Sequence, residues 1–129
     1  MPSIFTRIIN GEIPSYKIAE DENYFAFLDI SPLSKGHTLV VPKKEIDYLF
    51  DLDNDTLAGM MLFSKRIARA IDKAVPCKRV GVAVIGLEVP HAHIHLIPLI
   101  DDSINFSNPK LKLEKEELEK IAEAIRAQL

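Results

Sequence analysis

The sequence predicts an α+β fold with a largely antiparallel sheet. Three observations carry this reading: short β-branched and aromatic runs separated by turn residues, one long stretch of helical apolar spacing over residues 54–75, and a second such stretch after the last strand-like run. At the N-terminus Ser3 can cap a helical turn bearing Ile4, Phe5, Ile8 and Ile9, which Gly11 and Pro14 end. Runs at 16–19 and 24–28 flank the polar turn Asp21-Glu22-Asn23 and read as a hairpin. After the break at Ser31-Pro32, residues 37–41 are β-branched and apolar and stop at Pro42, which makes a third strand. Residues 47–53 connect, with room for one helical turn. Over 54–75 the positions Leu57, Met60, Met61, Ser64, Ala68, Ile71 and Val75 share a helix face, with Asp53 as cap and Pro76 past the end. Residues 79–85 and 91–97 read as two further strands around a corner at Gly86-Leu87-Glu88-Val89-Pro90. Leu118, Ile121, Ala122, Ile125 and Leu129 then give a terminal helix its apolar stripe, with Glu116 and Lys120 spaced as an i,i+4 pair.

A length of 129 residues points to one domain spanning 1–129, enough to bury a core without disulfides or metal staples. With 47% apolar and 27% charged residues the composition is that of a globular chain, which excludes disorder and fibrous repeats. Sixteen Lys and Arg against nineteen Asp and Glu leave a net charge of -3, so no general field attracts nucleic acid. The single cysteine, Cys77, cannot form an intramolecular disulfide and fits a reducing compartment. Neither an export signal nor an uninterrupted apolar span is seen, so a cytoplasmic protein with no membrane partner is expected.

Chemistry concentrates in the histidines. The chain has four, and His91, His93 and His95 stand at i, i+2 and i+4, alternating with Ala92, Ile94 and Leu96. On a strand this puts three imidazoles on one face and the apolar residues on the other, toward the core. Three readings are open: a half-exposed strand whose polar side is histidine, a metal site, and a catalytic row. For metal, rings about 6.6 Å apart along a strand supply two ligands readily, whereas three ends of a roughly 13 Å span strain to meet one ion. Two of them with His37 or Glu88 as a remote ligand would remain. For catalysis, a neutral imidazole is nucleophilic near pH 7 and its neighbours can donate hydrogen bonds to an anionic substrate.

The run His91-Ala92-His93-Ile94-His95-Leu96-Ile97 resembles the H-x-H-x-H-apolar-apolar signature of the histidine triad family of nucleotide hydrolases and transferases. The N-terminal run from Ile4 through Asn10-Gly11-Glu12-Ile13-Pro14 resembles the nucleotide-binding, phosphoramidate-cleaving branch of that family. So do Phe25-Ala26-Phe27-Leu28-Asp29-Ile30-Ser31-Pro32 and Gly36-His37-Thr38-Leu39-Val40-Val41-Pro42-Lys43, in the same order. These motifs cover about residues 3–100 and leave 101–129 as a C-terminal extension with its helix. The resemblance implies a five-stranded antiparallel sheet with a long central helix, paired across a two-fold axis into a homodimer. It also implies attack on the α-phosphorus of a purine nucleotide or nucleotide conjugate, with no cofactor. By motif match, His93 would be the nucleophile, His95 would contact the phosphate, and His91 and His37 would complete a relay that fixes the tautomer. Asp29 would hold the ribose hydroxyls, and Phe5, Ile8, Phe27 and Ile30 would sandwich the base. On sequence chemistry alone Asp29 reads rather as a turn residue, His37 as an ordinary strand histidine and the four apolar residues as core.

Two departures stand out. Relatives in this branch often carry zinc-ligand cysteines near the start, where this chain has Ser3 and Thr6, so no structural zinc is expected. Before the triad the family usually has an Asn and a Gly-rich loop ending in a polar pair that holds phosphate. Here Gly86-Leu87-Glu88-Val89-Pro90 is shorter and offers the carboxylate of Glu88 instead. An ionised carboxylate about 5 Å from a phosphate repels it by roughly 3 kcal/mol at an effective dielectric near 20. Two functions are therefore expected to compete: a metal-independent nucleotide phosphoramidase, or a nucleotide-binding regulatory protein that turns over little.

Overall fold

A computed structural model of the chain describes residues 1–101 and 103–129. Strands β1 (Lys17–Glu20), β2 (Tyr24–Leu28), β3 (Thr38–Pro42), β4 (Arg79–Ala83) and β5 (Ile94–Leu99) form one antiparallel sheet in the order β1-β2-β3-β5-β4. Helix α1 (Ile4–Ile9) precedes it, α2 (Asn54–Ala74) crosses between β3 and β4, and α3 (Lys115–Arg126) follows β5. The expected α+β architecture is thus the one observed, including a 3-10 turn at Leu49–Asp51.

Local chemistry sets these elements. The Asp21 carboxylate accepts from the N–H groups of Asn23 and Tyr24 and so closes the β1–β2 hairpin. Ser3 caps α1 by accepting from Thr6 N–H, and Asp53 caps α2 by accepting from Thr56 N–H. Gly36, at φ +95°, turns the chain into β3 where a Cβ would press to 3.0 Å from Val75 Cγ2 at the end of α2.

The sheet is buried on both sides near its middle. On one face α2 and α3 cover Ala26, Leu28, Val40, Ile94 and Leu96. On the other a smaller cluster of Phe5, Phe25, Phe27, Leu39 and Val41 forms under α1. The buried face of α2 is rotated from the one expected: Met60, Ser64 and Ile71 face inward, but Phe63, Ile67 and Ala70 join them while Met61 is half exposed. The cause is a close approach at Gly59, where a Cβ would overlap the Tyr24 hydroxyl. That hydroxyl donates to Thr56 O at 2.8 Å, and the Tyr24 ring packs on Phe63 at 5.5 Å. In α3, Leu118, Ala122 and Ile125 are buried and Ile121 packs beside them, whereas Leu129 lies past the helix and is largely exposed.

The last strand is shifted from its expected span of 91–97. It begins at Ile94 because the two residues before His93 pair elsewhere: His91 N–H donates to Val89 O and Ala92 N–H to Ile46 O. It runs on through Pro98 because β3 pairs only with Ile94, His95 and Leu96, so beyond them no β3 carbonyl waits for the missing N–H. The alternation nonetheless survives, with Ala92, Ile94 and Leu96 in the larger core. Among the described residues no helix is long and apolar enough to cross a membrane.

Candidate functional site

A cavity of about 360 Å³ opens on the α1 side of the sheet, bordered by Phe5, Asp29, His37, Glu88, His93 and His95, and also by Phe106 and Lys110. It brings together six of the ten residues expected to form a site. Of the others, His91 and Phe27 are buried behind the wall, Ile8 packs against the Phe5 cluster, and Ile30 points largely to solvent at 66% exposure. The histidine face is partly covered, because α1 lays Phe5 across His91 and His93. The Phe5 ring meets the rings of His93 and His91 edge-on at 4.9 and 5.8 Å. His93 is only 6% exposed, so its ring is held by protein on nearly all sides.

Hydrogen bonds fix the tautomer of each ring. His93 Nδ1 lies 2.8 Å from His91 O; a carbonyl only accepts, so Nδ1 carries the proton and Nε2 keeps its lone pair. His91 Nε2 donates to Pro42 O at 2.7 Å, which leaves its Nδ1 to accept from the Ser3 hydroxyl at 2.7 Å. Leu33 N–H donates to His37 Nδ1 at 3.0 Å, so His37 Nε2 donates to His95 Nδ1 at 2.9 Å. The remaining proton of His95 is then on Nε2. This corrects the relay expected from sequence: the group that orients His93 is the backbone carbonyl of His91, and the His37 ring acts on His95.

Burial sets the charge state of His37, His95 and His91. It pushes His37 from its ordinary 6.5 down to about 3 and His95 down to about 4, with neighbouring positive charge adding to both. His91 is lowered for the same reason, and burial pushes the Asp29 carboxyl up. The histidine shifts have a consequence for stability. Below pH 6.5 the unfolded chain binds protons at His37 and His95 that the folded chain refuses, so their contribution is complete above pH 6.5 and is lost toward pH 4. Urea titrations between pH 7 and 4 should show the unfolding midpoint falling, and a His37→Gln variant should show a shallower fall. Equal slopes for both proteins would contradict the burial argument.

Two groups of side chains invite comparison with metal sites. Ser3 N–H and the Thr6 hydroxyl donate to Glu45 Oε1 at 2.7 and 2.6 Å, and the Ser3 hydroxyl reaches His91, so α1 is tied to the segment after β3 by hydrogen bonds. Two of these four groups are hydroxyls, a donor set that does not fit a structural zinc ion. Asp29, His37 and His95 bring one ligand atom each within 4.8 Å of one another. Two imidazole nitrogens on a tetrahedral zinc lie about 3.3 Å apart. The His37–His95 spacing is 2.9 Å, that of a shared proton. The rings would have to part slightly to admit an ion.

Comparison with known proteins agrees with this geometry. The family described as HIT domain matches residues 10–101. An uncharacterized HIT-like protein of Borreliella burgdorferi is 37% identical over 128 residues, covering 92% of each chain. The adenosine 5'-monophosphoramidase of Saccharomyces cerevisiae is 40% identical over 101 residues, 77% of this chain and 63% of the yeast protein. Among solved structures, a HIT-like protein of Bartonella henselae involved in cell-cycle regulation superposes with a TM-score of 0.86 at 37% identity, covering 98% of this chain and 96% of its own. Matched over most of its length, and with His93 and His95 of the triad on the wall of its cavity, the chain belongs to the histidine triad (HIT) family.

Proposed function

We propose that the protein hydrolyses purine nucleoside 5′-phosphoramidates or related AMP conjugates through a covalent nucleotidyl-histidine at His93. The observation that carries this is the hydrogen bond from His93 Nδ1 to His91 O, which leaves the Nε2 lone pair free on a residue that borders the cavity. In this reading Nε2 bonds to the α-phosphorus as the P–N bond breaks, and the bonding pair leaves with the amine, which takes a solvent proton. His95 Nε2–H donates to a phosphate oxygen as charge builds there. Water then attacks the same phosphorus and gives up a proton to solvent, and the P–N bonding pair returns to His93 Nε2 as AMP leaves.

The rest of the cavity supports a nucleotide. Asp29 stands at its edge with Oδ1 held by Ser31 N–H, and its carboxylate can accept from both ribose hydroxyls. Phe5 offers an aromatic wall for the base, backed by Phe27 at 5.6 Å. The reading calls for no cofactor: turnover should persist in EDTA, and loss with recovery on added zinc would instead assign Asp29, His37 and His95 as metal ligands.

The regulatory alternative draws on one observation, an acidic residue, Glu88, among those that border the cavity. Single-turnover assay with adenosine 5′-phosphoramidate separates the two. AMP release within seconds to minutes supports the enzyme, and tight AMP binding with no release supports the regulator.

A homodimer belongs to the same proposal. Strand β4 is a sheet edge, and Val82, Val84 and Ile85 on and beyond it are exposed, an edge that a second copy would cover. Sedimentation at micromolar concentration should give twice 14.5 kDa, and a 14.5 kDa species would contradict it.

A further inference from the structure

The family match ends at residue 101, yet the chain beyond it returns to the cavity. Three contacts hold it there. Ile104 sits over Gly81 of β4, where a Cβ would press to 2.9 Å from Ile104 Cδ1. The Phe106 ring meets His95 edge-on at 5.0 Å, and Leu111 N–H donates to Pro32 O at 2.8 Å. Between the last two, Lys110 donates from Nζ to Phe106 O at 2.6 Å and lies 5.7 Å above the Phe106 ring.

Lys110 is the only Lys or Arg among the described residues that border the cavity, and Asp29 and Glu88 border it as well. A phosphate entering this site would meet two acidic side chains and three imidazoles. The loop at 86–90 contributes no Asn, Ser or Thr to hold it. An ammonium has three donors, and the bond to Phe106 O uses one, so two remain for phosphate oxygens. The field of Lys110 already reaches the site: behind the larger effect of burial, it adds to the lowering of His37 and His95 and opposes the rise of Asp29.

We infer that Lys110, carried on the segment after β5, is the phosphate-binding cation of this site and makes it selective for nucleotides over nucleosides. This rests on the nucleotide reading above and adds a residue that the family match does not reach. The charge that the loop at 86–90 fails to offset is offset by a residue of the segment after β5.

Calorimetric binding of AMP and of adenosine to the full chain tests this. Lys110→Met should weaken AMP binding about tenfold, the scale of one hydrogen bond to a charged group on an open rim. It should leave adenosine binding unchanged and flatten the salt dependence of AMP affinity, and Lys110→Arg should restore most of the loss. If the wild-type protein binds AMP and the Met variant binds it equally well, with the same salt slope, the inference is overturned and the nucleotide site stands. A parallel loss for adenosine would show that the side chain merely supports the cavity wall, and would overturn it too. Failure of the wild-type protein to bind AMP would overturn the nucleotide reading itself.

Discussion

Replacing His93 by alanine is expected to lower single-turnover cleavage of adenosine 5′-phosphoramidate on the order of 10⁴-fold or more, with AMP binding nearly intact. The loss is large because no other ring can take its place: the Nδ1 of His95 is engaged by His37, and both nitrogens of His91 are engaged by Pro42 and Ser3. The variant should also be less stable by about 1–3 kcal/mol, because His91 O loses its donor. Burst-phase rates, an AMP titration and a urea melt on the same preparation read the three effects separately. Retention of even a hundredth of the wild-type rate would place the nucleophile elsewhere.

His91→Ala should show the opposite balance. Its ring is fully buried, and its removal leaves Pro42 O without a donor and the Ser3 hydroxyl without its acceptor, beside a cavity the size of an imidazole. A stability loss of about 3–5 kcal/mol is expected. The chemical step in the folded fraction should suffer less than in His93→Ala, because the group that orients His93 is the backbone carbonyl at 91, which alanine also has. Rates measured well below the unfolding midpoint and normalised to folded protein decide this. If His91→Ala proved the more damaging to chemistry, the roles assigned to the two rings would be wrong.

How far the sequence carries depends on the range of each interaction. The hairpin at Asp21, the caps at Ser3 and Asp53 and the alternation around Ile94 are local, and each is legible because a few adjacent residues decide it. The face of α2 is not local. Periodicity finds a stripe, but its final rotation is set by Tyr24 packing on Gly59 and Phe63, some 35 residues away. The triad is visible as a pattern, and the family resemblance brings His37 and Asp29 to it. The pattern does not show that α1 covers part of the histidine face, or that Ser3, 88 residues away, caps His91. Phe106 and Lys110 left no periodic or motif signal in Ser103-Ile104-Asn105-Phe106-Ser107-Asn108-Pro109-Lys110. Their place at the cavity follows from the path of the chain, with Ile104 seated in the space that Gly81 leaves.

The account turns on His93 Nε2 forming a bond to phosphorus. Acid quenching, by contrast with base, cleaves phosphorus–nitrogen bonds, so the trap should be an alkaline or denaturing quench of wild-type protein mixed with adenosine 5′-phosphoramidate, followed by peptide mass analysis. The account predicts an adenylyl mass increment on the peptide containing residues 91–95, assigned by fragmentation to His93 and absent from the His93→Ala protein. Turnover with no adduct at any quench time, or an adduct on a different residue that survives in His93→Ala, would contradict it.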